Sequence, residues 1–111
     1  MKLSLLILLA ASPCLAALTP TQENRLADAI YIVEGGAKTS HPYGVLTKYK
    51  TTTPRQACIN TIRTKRKAWE AAGSRGDWLN YLADRYCPPS DDFVGNKNWK
   101  ANIHKLMFTE R

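Results

Sequence analysis

"TPTQENRLADAIYIVEGGAKTSHPYGV", residues 19 to 45, starts as one kind of structure and ends as another. Thr19 is a capping residue, Pro20 suits the first helical position, and Gln22 stands where its side chain reaches back to the cap, so a helix begins here. Leu26, Ala29, Ile30 and Val33 then recur at the spacing of one buried helix face. Gly35 and Gly36 close the helix, which makes Glu34 its last residue. Residues 37 to 53 lose the helical period. They carry Pro42 and Gly44, and the alternation of Tyr43, Val45, Thr47 and Tyr49 predicts a short hairpin or irregular β segment.

Working outward, Thr53-Pro54-Arg55-Gln56 repeats the capping-box pattern and opens a second helix that runs to about Ala72 and stops at Gly73, with Ala57, Cys58, Ile62 and Trp69 on or near one face. Asp77 caps a third helix holding Trp78, Leu79, Leu82 and Tyr86, which ends at Cys87 because Pro88 and Pro89 cannot continue it. After a turn-rich stretch from Pro88 to Asn98, Trp99, Ile103, Leu106 and Met107 mark a fourth amphipathic helix. The predicted fold class is α+β, mainly α: about four helices in one small domain, with a β excursion after the first.

Upstream, Lys2, the apolar run from Leu3 to Ala11, Pro13 and the small residues Ala16 and Ala17 read as a secretory signal peptide over residues 1 to 16, leaving a domain over residues 17 to 111. The apolar run is well short of the ~20 residues that span a bilayer. A lipoprotein reading through Cys14 is disfavoured by Pro13, where such signals want a small, flexible residue. Export to the periplasm or the outside follows as an expectation. In that oxidising setting Cys58 and Cys87, the two cysteines of the mature chain, most simply form one disulfide, with a stabilisation of about 3 to 4 kcal/mol in the chain-entropy model. The chain's formal charge is +7, and removing Lys2 with the leader leaves +6. Such a surplus either keeps a secreted protein soluble or marks an anionic partner, for an exported protein a cell-wall polymer or a membrane surface before nucleic acid.

Glu34 is the residue that carries a chemical question. A general acid must hold its proton near neutral pH, and a helix C-terminus flanked by apolar side chains is a place that favours the neutral form of a carboxyl. The glycines that follow let a substrate chain approach closely. Equally, Glu34 is the exposed end of a helix and the glycines are its cap.

Glu-Gly-Gly closing an apolar helix, followed by Tyr43-Gly44-Val45, resembles the start of lysozyme-like peptidoglycan hydrolases. In phage-type lysozymes and glycoside hydrolase family 108 a catalytic glutamate ends a helix before Gly-Gly, and a Tyr-Gly-Ile-like step follows. Arg85-Tyr86-Cys87-Pro88-Pro89 and Asn98-Trp99 are similar to C-terminal parts of some bacterial members and of lytic transglycosylases. The resemblance implies a lysozyme-like domain, peptidoglycan as substrate, Glu34 as catalytic residue, and Thr39, Ser40, Tyr43, Gly44 and Tyr86 beside the sugar, with no cofactor, no metal, no nucleic acid and a monomeric state. The acidic, Pro- and Gly-rich insertion that usually separates the two halves of the motif is missing here.

Between Glu34 and Glu70 there is no Asp or Glu, although a retaining or inverting glycosidase needs a second carboxylate about 5 to 10 Å from the first. Asp77, Asp91 and Asp92 remain candidates, each equally explained as a cap or solvated bend. A lytic transglycosylase works with one glutamate, because the muramic acid 6-hydroxyl replaces water and the N-acetyl group assists. That chemistry is preferred over a muramidase. The rival expectation is a non-catalytic secreted cationic protein that binds cell wall or acts on bacteria, and a weaker third is an inhibitor that fills another enzyme's cleft. His41 and His104 lack ligand spacing for a metal, and no serine or cysteine nucleophile constellation is visible. Arg63, Lys65, Arg66 and Lys67 fan around the solvent side of the second helix, as a solvated face or as a footprint for an anionic polymer or phospholipid. Trp69, Trp78 and Trp99 fall on apolar faces and are assigned to packing before sugar stacking.

Overall fold

The computed structural model describes residues 17 to 46, 48 and 50 to 108. The expected leader, residues 1 to 16, and Thr47 and Tyr49 of the expected β segment lie outside these. Among the described residues there are four α-helices: α1, Pro20–Val33; α2, Pro54–Ala71; α3, Trp78–Tyr86; and α4, Phe93–Phe108. No helix among them is long and apolar enough to cross a membrane.

Each helix starts where a side chain satisfies its free N–H groups. Thr19 and Gln22 make a full reciprocal capping box on α1: the Gln22 N–H donates to Thr19 Oγ1 at 3.1 Å and the Thr19 N–H to Gln22 Oε1 at 2.8 Å. On α2 the box is half made. Thr53 Oγ1 accepts from the Gln56 N–H at 3.1 Å, while the Gln56 side chain turns forward to Asn60 Oδ1 at 2.9 Å. Asp77 caps α3 through the Asn80 N–H at 2.9 Å, and Asp92 accepts from the Gly95 N–H at 2.8 Å on α4. A Thr53→Ala substitution is expected to lower stability by about 1 kcal/mol, read as a shift of the urea midpoint at unchanged slope.

The core is one cluster fed by all four helices. Leu26, Ala27, Ala29 and Ile30 come from α1, Cys58, Ile59 and Ile62 from α2, Leu79, Leu82 and Ala83 from α3, and Trp99 and Ile103 from α4. α1 packs on α2 and α4, and α3 packs on the same two, so the apolar stripes meet in a closed arrangement. Glu23 on α1 is buried and held by two 2.9 Å hydrogen bonds from Arg63 on α2. Burying a carboxylate is tolerable only with such a partner.

Three expectations are corrected. Helix α4 starts at Phe93, six residues before Trp99, because Asn96 is buried: its Nδ2 donates to Asp84 Oδ1 at 2.9 Å and to the Cys87 carbonyl at 2.7 Å. That tertiary anchor outweighs the weak helix propensity of Gly95, Asn96 and Asn98. Second, no strand occurs among the described residues. The segment after α1 folds as two 3₁₀ turns, Gly36–Lys38 and Pro42–Gly44. Tyr43 and Gly44 take φ of +61° and +69° in succession, which no extended strand accommodates, and a lone hairpin without a third strand is marginal in any case. Third, Cys58 and Cys87 do not form a disulfide; both are free thiols. The Tyr86 hydroxyl faces Cys58, 3.5 Å from its Sγ. Cys87 follows the last residue of α3 as its C-cap, with non-helical backbone at φ −147° and ψ 79°, so Cys58 meets Tyr86 in its place.

Candidate active site

Glu34 occupies the C-cap of α1, with its N–H bonded to the Ile30 carbonyl at 2.9 Å. Gly35, at φ +110°, turns the chain sharply away from the helix, in a conformation that suits a residue without Cβ. The half-buried Glu34 side chain then meets two elements distant in sequence. The buried Trp99 of α4 donates its Nε1–H to Glu34 Oε2 at 2.7 Å. The second turn brings Gly44 against the other oxygen: a Cβ at position 44 would lie 2.8 Å from Glu34 Oε1. Gly44 is thus required twice, by its positive φ and by the space its missing side chain leaves to the carboxylate.

This arrangement sorts the two oxygens. An indole N–H only donates, so Oε2 is its acceptor, while Oε1 faces Gly44. Trp99 is itself fixed by Tyr86, whose ring stacks on it at 5.3 Å and 10°. Replacing Trp99 by Phe keeps the stack and deletes the donor. Any reaction run by Glu34 is then expected to lose about ten- to a hundredfold in kcat, with about 1 kcal/mol of stability and a smaller change in KM.

The turn holding Gly44 is locked from outside the sequence motif. Arg55 on α2 donates to the Tyr43 hydroxyl at 3.1 Å, to Asp28 Oδ1 at 2.9 Å and to Asn24 Oδ1 at 3.0 Å, pinning the turn to α1. The bond to Tyr43, with help from Asp28, pushes the Arg55 guanidinium further up from an already high value. Tyr43 also packs its ring 5.1 Å from that of Tyr31.

Of the residues expected around the sugar, Tyr43, Gly44 and Tyr86 come together, lining with Ala57, Thr61 and Arg85 a cleft of about 230 Å³. Glu34 touches the wall residue Gly44 and does not itself line this cleft. Tyr86 contributes its ring and not its hydroxyl, which is turned to Cys58; burial, and then Cys58, pushes the phenol well above the ordinary tyrosine range. Ser40 lies in an adjoining cleft of about 430 Å³ with His41 and Lys48, which shares Val45 and Leu46 with the first. Thr39 serves the turn: its Oγ1 accepts the His41 N–H at 3.1 Å. A third cleft of about 380 Å³, with Asn60, Thr64 and Lys65, shares Ala57, Thr61 and Arg85 with the first.

The other acids have identifiable duties. Asp77 caps α3 and meets His104 Nε2 at 3.2 Å, and Asp92 caps α4. Asp84 pairs with Lys100 at 3.3 Å and Glu70 with Arg66 at 2.8 Å. Asp91 is exposed in the turn before α4. The Cys87 thiol is pushed up by burial first, then by Asp92, Glu34 and Asp91.

Two parts of the site escaped sequence reasoning. From the sequence Trp99 reads as a packing residue before a sugar-stacking one, although a buried indole N–H usually has a partner, and that rule points to a nearby acceptor. Arg55 read only as a capping-box position. Comparison of the chain with family models, with curated proteins and with solved structures gave no match.

Proposed function

We propose that this chain is an exported enzyme that cleaves the glycan strands of peptidoglycan, with Glu34 acting alone as acid and then base in a lytic transglycosylase reaction. The observation that carries the reading is the Trp99 hydrogen bond to Glu34 Oε2 opposite the bare face of Gly44. It supports a carboxyl with one oxygen held by the indole and the other, Oε1, turned to the glycine step as the group that gives up a proton and takes one back.

In the proposed reaction Oε1 delivers its proton to the glycosidic oxygen as the bond from that oxygen to the muramoyl anomeric carbon breaks. The N-acetyl carbonyl oxygen steadies the positive charge left on that carbon. The muramic acid 6-hydroxyl then attacks it, and its proton passes to the Glu34 carboxylate, which restores the acid. The product is a 1,6-anhydro ring, and no water is consumed. A partner carboxylate is unnecessary, which agrees with the caps and ion pairs that occupy Asp77, Asp84 and Asp92.

A second reading, a non-catalytic wall-binding protein, is favoured by one observation: Glu34 does not line the cleft that Gly44 and Tyr86 share. The two part on incubation of the mature protein with isolated peptidoglycan and mass analysis of what is released. Anhydro-muropeptides, one water lighter than hydrolytic products, are expected. Fully hydrated products identify a muramidase instead, and sedimentation with the wall without any soluble product identifies the binding protein.

A further inference from the structure

Three clefts, one of them walled by the Gly44 that Glu34 touches, form one branched groove, because each shares wall residues with the next, and no Asp or Glu lines any of them. The branch that runs along α2 exposes Ala57, Asn60, Thr61, Thr64 and Lys65. These positions recur at the helical spacing of one face, and from 57 to 64 they cover ~10 Å of helix. Arg85 closes the far side, its guanidinium 5.7 Å from the Tyr86 ring. No carboxylate among the described residues pairs with Lys65 or Arg85, whereas Arg55, Arg63 and Arg66 are tied to Asp28, Glu23 and Glu70. Lys65 and Arg85 are thus charges on this wall that no carboxylate of the described residues offsets.

From this we infer that the α2 branch is a binding site for the carboxylate-bearing peptide stem of the glycan strand, so that the substrate is stem-bearing and not peptide-free peptidoglycan. The inference rests on the proposed function for the identity of the strand. Its own support is the wall chemistry. A peptide alternates amides with its carboxylates, and this wall alternates Asn60, Thr61 and Thr64, which hydrogen-bond amides, with Lys65 and Arg85, which pair carboxylates. The ~10 Å span matches about three extended residues. The branch begins at Ala57, Thr61 and Arg85, which also wall the cleft that holds Gly44, so a stem leaving a sugar seated in that cleft enters it directly.

The test uses the full mature chain carrying Glu34→Gln, so that ligand is not consumed, and measures Kd by calorimetry for three defined ligands: a disaccharide-tetrapeptide with free carboxylates, the same molecule amidated, and the peptide-free disaccharide. The free-carboxylate ligand is expected to bind about tenfold tighter than the amidated one, equivalent to about 1.4 kcal/mol. Lys65→Gln with Arg85→Gln is expected to erase that advantage, and Lys65→Gln alone, outside the cleft of Tyr43, Gly44 and Tyr86, to reduce it and leave the peptide-free Kd unchanged. Lys97→Gln, a charge lost outside the groove, is expected to change nothing. Equal affinity for free and amidated stems overturns the inference, as does a preference that survives the double substitution or falls equally with Lys97→Gln. Tighter binding of a poly(glycerol phosphate) chain than of the muropeptide, lost in the same double variant, also overturns it and assigns the groove to a phosphate polymer. Failure here is separable from failure of the activity. A wild type that makes anhydro products yet shows no stem preference loses only the groove, and one that keeps the preference without cleaving loses only the reaction.

Discussion

Glu34→Gln is expected to leave a protein that folds, holds peptidoglycan and releases no muropeptide from it. Gln is nearly isosteric, and its amide oxygen accepts the Trp99 N–H as Oε2 does, so the far-ultraviolet spectrum and the unfolding midpoint should move little. What the amide lacks is a transferable proton at the Oε1 position. General acid–base assistance by one group contributes about 10²- to 10⁴-fold, and here a single group is asked to serve both steps. A fall of at least about a thousandfold in product formation is therefore expected. Equal product from the variant would sink the catalytic assignment, because no substituted amide can protonate a leaving oxygen. A substitution that unfolds the chain is distinguished by the lost melting transition.

Leu82→Ala is expected to remove about 2 to 5 kcal/mol of stability, a large part of the roughly 5 to 15 kcal/mol a domain possesses. Leu82 is fully buried and lies in the cluster that α1, α2 and α4 also feed. Its helix α3 has nine residues, too few to hold together without packing, so the lost contacts cannot be recovered by local relaxation. Loosening α3 also frees Tyr86 from its stack on Trp99, and the site should weaken with the fold. Leu46→Ala is the comparison: Leu46 is 74% exposed, and its truncation should change stability by about 0.5 kcal/mol or less. Matching midpoints for the two variants would contradict the core described above.

The helices were readable from local rules because those rules act over three or four residues. Thr19, Thr53 and Asp77 cap where a hydroxyl or carboxylate precedes an apolar period, and the buried faces of α1 and α2 follow the spacing of Leu26, Ile30, Cys58 and Ile62. The start of α4 was not readable, since it depends on Asn96 reaching Asp84 and the end of α3. The alternation of Tyr43 with Val45 misled because side-chain pattern says nothing of a backbone that turns left-handed twice. The cysteine count misled in the same way: a pair supplies the sulfurs and not their directions, and Cys58 points to Tyr86.

At the site the division is sharper. The sequence by itself placed Glu34 at a helix end before two glycines and showed that no acid follows it before Glu70. Both are properties of neighbours along the chain. Which oxygen of Glu34 is held, why residue 44 has no side chain, and which cations stay unpaired were decided by tertiary structure alone. Trp99 lies 65 positions from Glu34, and contacts of that separation are set by how four apolar stripes close on one core, a geometry no local spacing encodes.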